Sequence, residues 1–351
     1  MDKEFPQSLN QYQDILCCPN CGANLTFGNN EIQCSQCHHH YHISENIPLF
    51  FLPTASKASK EDVTDRIKAF YEANPFPNYD DFDNVNSLME RARRGIFAKL
   101  LDEQIPFDVR ILEAGCGTGQ LSIFLSIAHR TVFATDISLN SLRLGQKFKE
   151  KNGLERVYFL QMNLFRPVFK PESFHLVICN GVLHHTSDPY AGFKALSSLV
   201  KPDGYILIGL YHKYGRLSND IRRLLFNVSE HFNFIKPRWR NKNLEKTKQA
   251  IWFRDQYRNP HESKHTIKEA LNWFEQKGFQ FVKSLPKTGL FGGISENEKL
   301  FKPESPENLF KLFWLEKAMM FKAAKDGGLF IIIGQKKSCG MREEFLKPNL
   351  R

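Results

Sequence analysis

No apolar run in this 351-residue chain approaches the ~18–20 residues that cross a bilayer. The opening residues, Met1-Asp2-Lys3-Glu4-Phe5-Pro6, lack the basic start and apolar stretch of a secretory leader. The expected location is the cytoplasm, where disulfides are rare. The eight cysteines are therefore not read as a disulfide framework. No internal repeat is present, which excludes solenoids and propellers. Lysine and arginine are missing between Lys3 and Lys57, although the whole chain carries a formal charge of +10. The N-terminal segment thus offers little to nucleic-acid phosphates.

What that segment does hold is cysteine. Five of the eight (17, 18, 21, 34 and 37) fall in the first 40 residues. Cys18-Pro-Asn-Cys21 and Cys34-Ser-Gln-Cys37 are two Cys-x-x-Cys knuckles separated by twelve residues. Each knuckle can give two thiolates to one tetrahedral zinc ion, and a closed four-thiolate site is structural. The residues between them, Leu25 to Gln33, read as a hairpin turning at Gly28-Asn29-Asn30. Cys17 fits the spacing less well, and His38, His39, His40 and His42 are spare ligands in principle. A module this small has little core, so metal supplies much of its folding energy.

The remainder has the rhythm of an α/β protein. Residues 1–52 form the cysteine module, and 53–108 a polar linker followed by a helical segment broken at Asn74-Pro75-Phe76-Pro77. Helical periodicity returns over Leu88–Ile105. From Val109, short apolar strands alternate with helices: Val109–Glu113, Thr131–Asp136, Val157–Gln161, Phe174–Asn180 and Tyr205–Leu210, with helices near 119–129, 138–151 and 189–200. Such alternation implies a parallel sheet covered by helices. The rhythm lapses over about 211–264 and resumes at Thr266-Ile-Lys-Glu269, a capping-box pattern opening a helix that Gly278 ends. Strands follow at Phe279–Ser284 and Leu329–Gly334, separated by a second insertion over about 286–327 with an amphipathic stretch near Leu309–Ala323. This α/β unit runs over 109–338, and 339–351 reads as a polar tail.

Glu113-Ala-Gly115-Cys116-Gly117-Thr-Gly119 follows the first of these strands directly. Glycine opens dihedrals closed to other residues and lets a ligand approach the main chain. The following Gln-Leu-Ser has no Lys-Ser/Thr pair, so this is no phosphate-binding P-loop. The third glycine comes two residues after the second, which misses the dinucleotide fingerprint. Asp136 ends the second strand, where a carboxylate can accept both hydrogen bonds from a ribose diol.

Residues 109–210 and 266–336 resemble the class I S-adenosylmethionine-dependent methyltransferases. Glu-Ala-Gly-Cys-Gly-Thr-Gly resembles that family's first motif and Ala134-Thr-Asp136-Ile137-Ser its second. The stretch from Phe174 to Asp188 is similar to its fourth strand and the loop after it, and Leu199 to Gly204 to the turn before the fifth. The resemblance implies a Rossmann-like seven-stranded sheet with its last strand antiparallel, helical insertions, and a small N-terminal zinc ribbon. It implies S-adenosylmethionine as cofactor, held by Glu113, Gly115, Cys116, Gly117, Gly119, Asp136, Ile137, Met162, Asn163 and Asn180. The family usually has an acid contacting the adenine where this chain has Asn163.

Asn180-Gly-Val-Leu-His184-His185 lacks the Asn/Asp-Pro-Pro-Tyr/Phe motif of the adenine- and amide-methylating members. It looks more like the small-molecule methyltransferases, including those acting on quinone precursors. His184 and His185 are candidate general bases, since histidine titrates near neutrality. Tyr211, with His212, sits at the same sheet edge. Tyr71 and Tyr79 precede the core in a segment that in related enzymes often folds over the cofactor as a lid; the alternative, slightly favoured, is aromatic core packing. His261-Glu-Ser-Lys-His265 matches the zinc-protease pattern His-Glu-x-x-His, which needs both histidines on one helical face. Pro260 and the helix start at Thr266 argue against that.

The expected function is methyl transfer to a small-molecule acceptor at oxygen or carbon, quinone- or lipid-like. One alternative is an RNA methyltransferase holding RNA with the ribbon and a basic insertion. Residues 212–250 carry ten lysines and arginines against three acids. Peripheral membrane contact through Ile221-Arg-Arg-Leu-Leu-Phe226 is a variant of the first reading. A further alternative is a scaffold that binds the cofactor without turnover.

Overall fold

The computed structural model describes residues 7–28, 31–53, 63–75, 77, 79, 84–217, 219–221, 223, 259–285, 295–304, 313–314, 316–319 and 328–338. Most of the basic insertion, the tip of the predicted 28–30 turn and the tail lie outside the described residues. So does most of the amphipathic stretch 309–323.

The N-terminal module opens with α1 (Gln7–Asn10). Four short strands follow: β1 (Leu25–Phe27), β2 (Glu31–Cys34), β3 (His40–Ser44) and β4 (Ile47–Pro48). They form an antiparallel sheet in sequence order, and Leu25 pairs with Cys34 as the predicted hairpin requires.

Next come α2 (Val63–Ala73), α3 (Val85–Arg94) and α4 (Ile96–Gln104). The periodicity over Leu88–Ile105 predicts one helix, and the structure has two. Gly95 takes an extended conformation (φ −85°, ψ 110°), ending α3 and starting α4. Asn84 opens α3 with a reciprocal capping box to Ser87.

The main sheet contains β5 (Arg110–Ala114), β6 (Thr131–Asp136), β7 (Val157–Gln161), β8 (Phe174–Asn180), β9 (Val200–Tyr211), β10 (Phe279–Leu285) and β11 (Leu329–Lys336). Their order is β10-β11-β9-β8-β5-β6-β7. β11 runs antiparallel to both its neighbours, and the β9–β8, β8–β5, β5–β6 and β6–β7 pairings are parallel. The helices packed with them are α5 (Gln120–Ser126), α6 (Leu139–Lys151), α7 (Pro189–Ser197) and α8 (Ile267–Gln276). Every predicted strand is present. β9 starts earlier than expected: Val200 pairs with Phe174 and Tyr205 with Leu176, so residues 201–204 bulge from a strand rather than precede it. The capping box at α8 is half made. Thr266 accepts from the Glu269 N–H, while the Glu269 side chain binds His265.

Strand residues alternate between two apolar clusters, as a sheet buried on both faces requires. Along β6, Val132 and Ala134 pack into one cluster and Phe133 into the other. The Phe133 cluster also contains Leu9, Leu16, Ile32, Tyr41 and Phe50 of the cysteine module. The module is thus built into the core. It also reaches the sheet's outer strand: Leu49 bridges to Gln161, and the Phe50 N–H donates to the Gln161 carbonyl at 2.9 Å. Cys17 N–H to Val168 O and Lys170 N–H to Ile15 O, both 2.8 Å, fix its other side.

β5 lies between β6 and β8, so the chain reverses its direction of travel across the sheet there. In open α/β sheets ligands bind outside the strands' carboxyl ends at such a switch point. Among the described residues no helix is long and apolar enough to cross a membrane.

Candidate functional site

After β5 the chain turns at Gly115, Gly117 and Gly119, all left-handed with φ of +77°, +57° and +78°. Other residues are strained there, and space is equally restrictive. A Cβ on Gly115 would collide with Val182, and one on Gly119 with Phe159. The loop is tied to β6. Gly115 and Cys116 N–H donate to Thr135 O at 2.7 and 3.0 Å, and Gly117 N–H to Asp136 Oδ2 at 2.8 Å. The other Asp136 oxygen accepts from Ser138 N–H at 2.8 Å. A carboxylate has about four acceptor positions, so these contacts leave room for two more. Burial pushes the Asp136 carboxyl up to about 6, against the pull of the Ser138 and Gly117 amides. Burial likewise raises Glu113 to about 7, opposed by hydrogen bonds from Ser122.

A cavity of about 660 Å³ opens at this loop. Of the predicted cofactor residues, Glu113, Gly115, Cys116, Gly117, Asp136, Ile137, Met162, Asn163 and Asn180 line it. Gly119 does not, because it is spent as the N-cap of α5. Asn180 Oδ1 is buried with no hydrogen-bond partner among the described residues, unusual for a buried polar atom.

The segment before the core supplies further wall. Tyr71 lines the cavity, whereas Tyr79 packs: its ring stacks on Phe148 and its hydroxyl donates to Thr118 O at 2.8 Å. The sequence reading missed Glu72. Its carboxylate accepts from the Leu139 and Asn140 amides, both at 2.9 Å, at the start of α6. A negative charge at a helix N-terminus is favoured by the free amides and the helix dipole. Glu72 thereby latches α2 to the turn after Asp136.

The paired histidines separate in space. His185 lines the cavity, and its Nδ1 lies 2.8 Å from His261 O. A carbonyl only accepts, so Nδ1 carries the hydrogen and Nε2 is the basic atom of the neutral ring. His184 does not line the cavity. It is fully buried, its ring stacked on Tyr211 with centroids 3.8 Å apart, and burial holds it well below its usual pKa. Tyr211 does line the cavity. Behind it the Arg216 guanidinium lies 3.8 Å from the ring centroid and pairs with Glu262 at 3.0 and 2.8 Å. His212 is fully buried away from the cavity lining, and burial lowers it to about 4. The 261–265 segment is not helical, so His261 and His265 share no helical face. Glu262 is held by Arg216, and His265 by Ser263 and Glu269.

In the N-terminal module, the sulfurs of Cys18, Cys21, Cys34 and Cys37 all lie within 4.8 Å of one another. Cys18–Cys37 is 3.7 Å and Cys21–Cys34 is 3.4 Å. A tetrahedral site with ~2.3 Å metal–sulfur bonds has edges of about 3.8 Å. Backbone amides support the thiols: Asn20 N–H points to Cys18 Sγ, and Gln36 and Cys37 N–H to Cys34 Sγ, each at 3.4 Å. Gly22 and His38, just after each second cysteine, are left-handed. Cys17 and the four histidines stay outside the cluster.

Residues 112–208 match a family profile described as a methyltransferase domain. The chain is 27% identical over 256 residues to an uncharacterized protein of Synechococcus sp., covering 64% of this chain and 61% of that one. It is 29% identical over 114 residues to the ubiquinone biosynthesis O-methyltransferase of Actinobacillus pleuropneumoniae, covering 30% of this chain and 47% of the relative. The chain therefore spans about half to three fifths of the length of these curated relatives. Among solved structures, magnesium protoporphyrin IX methyltransferase from Synechocystis with bound SAH has a TM-score of 0.47 at 15% identity, covering 79% of this chain and all of that one. Strand order, the glycine loop and the profile match agree: this chain carries a class I S-adenosylmethionine-dependent methyltransferase domain, joined to an N-terminal four-cysteine module.

Proposed function

We propose that the protein transfers a methyl group from S-adenosylmethionine to the oxygen or carbon of a small-molecule acceptor, quinone-precursor-like in character. The observation that carries this is His185, a histidine with a fixed tautomer on the wall of the same cavity as the glycine loop. When bound, the cofactor supplies an electrophilic methyl group on a positively charged sulfur. Asp136 has two acceptor positions for the ribose hydroxyls, and Asn180 Oδ1 is placed to accept from the methionyl ammonium. His185 Nε2 takes the acceptor's proton as its oxygen or carbon bonds to the methyl carbon, and the C–S electron pair returns to sulfur. Tyr211, braced by the Arg216–Glu262 pair, and Tyr71 wall the acceptor side. The O-methyltransferase relatives support a hydroxylated acceptor.

The four cysteines fit zinc by donor chemistry and by their edges, and we assign them a structural zinc ion.

The test is a labelled methyl-transfer assay on fractionated cell extract, with wild type and His185→Gln. Label enters the organic-soluble fraction, and the variant loses about 10²–10⁴ in rate at unchanged S-adenosylhomocysteine affinity. Label in nuclease-sensitive material, or cofactor binding with no label anywhere, overturns the acceptor class. A variant with full activity overturns the role of His185.

A further inference from the structure

The asparagine at position 163 does what an acid there could not. Its Nδ2 donates to the Leu52 carbonyl at 2.9 Å, while its Oδ1 accepts from the Phe165 N–H at 3.1 Å. The residue is 2% exposed. An ionised aspartate has no donor, so it would set oxygen against the Leu52 oxygen.

Leu52 belongs to the strap that leaves the four-cysteine module. Along that strap, Leu49 bridges to Gln161, and Phe50 N–H donates to Gln161 O. The Gln161 side chain in turn donates to Ile137 O at 3.0 Å. Ile137, Met162 and Asn163 all line the cavity. At its other end the strap is anchored near the thiols. Leu49 N–H donates to His42 O on β3, and Phe50 packs on Tyr41, whose hydroxyl lies 3.0 Å from Cys18 Sγ. An unbroken run of contacts therefore leads from the cysteine cluster to the cavity wall beyond Asp136.

We infer that Asn163 is a positioning residue, fastening the metal module to the cofactor side of the cavity so that metal occupancy of the four cysteines sets cofactor affinity. The inference rests on the reading of the cavity as the cofactor pocket and of the cysteines as a metal site.

The experiment is a two-by-two cycle on the full chain. S-adenosylhomocysteine binding is measured by calorimetry for wild type and Asn163→Asp, each zinc-loaded and after chelation. Zinc content and far-ultraviolet circular dichroism are followed in parallel. Chelation is expected to weaken binding by wild type about tenfold or more, and Asn163→Asp to do the same with zinc retained, as loss of one or two buried hydrogen bonds implies. Chelation then adds less than about threefold to the variant, because the connection is already cut. A variant that binds as tightly as wild type, or two losses that multiply, overturns the inference. Amide exchange gives a reading on wild type alone: chelation is expected to strip protection from residues 161–165 ahead of β5 and β8. Unchanged protection there is equally fatal. Zinc-loaded wild type that binds no S-adenosylhomocysteine refutes the cofactor reading instead, and the exchange measurement still decides the fastening.

Discussion

Replacing Asp136 by alanine tests the centre of the cofactor reading. Its two oxygens accept from Gly117 and Ser138 N–H, one each, and the Ile137 amide also favours the ionised form; a carboxylate has about four acceptor positions in all. Two ribose hydroxyls would make two hydrogen bonds to a charged group, worth about 1.5–3 kcal/mol each. Alanine removes both and releases the two amides, although water entering the cavity recovers part of the loss. The lower end of the sum, ~3 kcal/mol, corresponds to about 150-fold weaker binding. Asparagine should cost about as much, because its NH2 must face one of the two backbone amides. Calorimetry with S-adenosylhomocysteine reads both variants. The pH dependence follows with a definite sign. Burial raises the free carboxyl to about 6, and the ligand favours the ionised form. Affinity is then full above about pH 6 and falls as pH drops through it, approaching about tenfold per pH unit. The alanine variant should lack this limb. Binding within threefold of wild type in a folded Asp136→Ala protein, or a wild-type profile flat through pH 6, refutes the placement of the ribose.

Glu72→Ala should loosen α2 from α6, costing about 1 kcal/mol in urea denaturation and speeding S-adenosylhomocysteine release in stopped flow. Burial pushes Glu72 up, but the Asn140 and Leu139 amides outweigh it and hold the carboxyl below its usual range. Its contribution is thus present above the ordinary glutamate pKa and lost as pH falls through the depressed one, so wild type and variant should converge in acid. Arg130→Met should destabilise the protein by about 3–5 kcal/mol. That arginine is 1% exposed, donates to the carbonyls of Asp102, Ile105, Pro106 and Leu125, and pairs with Asp102 at 2.8 Å. A loss below 1 kcal/mol would show that water replaces it.

The features legible in the sequence were those that local chemistry dictates. The glycine spacing announced a turn that only glycine can make, and the two knuckles announced four converging thiols. The alternation of apolar runs gave each strand of the sheet. Elsewhere the deciding partner is remote. His184 and His185 are neighbours in sequence with identical chemistry. The 3-10 turn at Leu183–His185 puts one on the cavity wall and buries the other against Tyr211. Glu72 looked like an ordinary helix glutamate, because its partners lie 67 and 68 residues away. Asn163 read as a weakened adenine contact, because Leu52 is 111 residues distant. Gly95 carried a local signal that the longer periodicity over 88–105 masked. Gly145 carried none: a Cβ there would strike Thr118 O and Phe159, so α6 can approach the glycine loop only at that residue.

The strap along β7 has a consequence for how the protein behaves in solution. β7 is the last strand of its sheet, and the outer strand of a sheet is a template for pairing with another chain. Here Phe50 occupies part of that edge, and Tyr12 closes over Phe133 and Tyr158 at 5.2 Å from each ring. A catalytic domain expressed without the cysteine module would carry both an open edge and an uncovered aromatic face. Self-association of such a fragment would begin at β7, and the module is what keeps that surface from meeting its own copies.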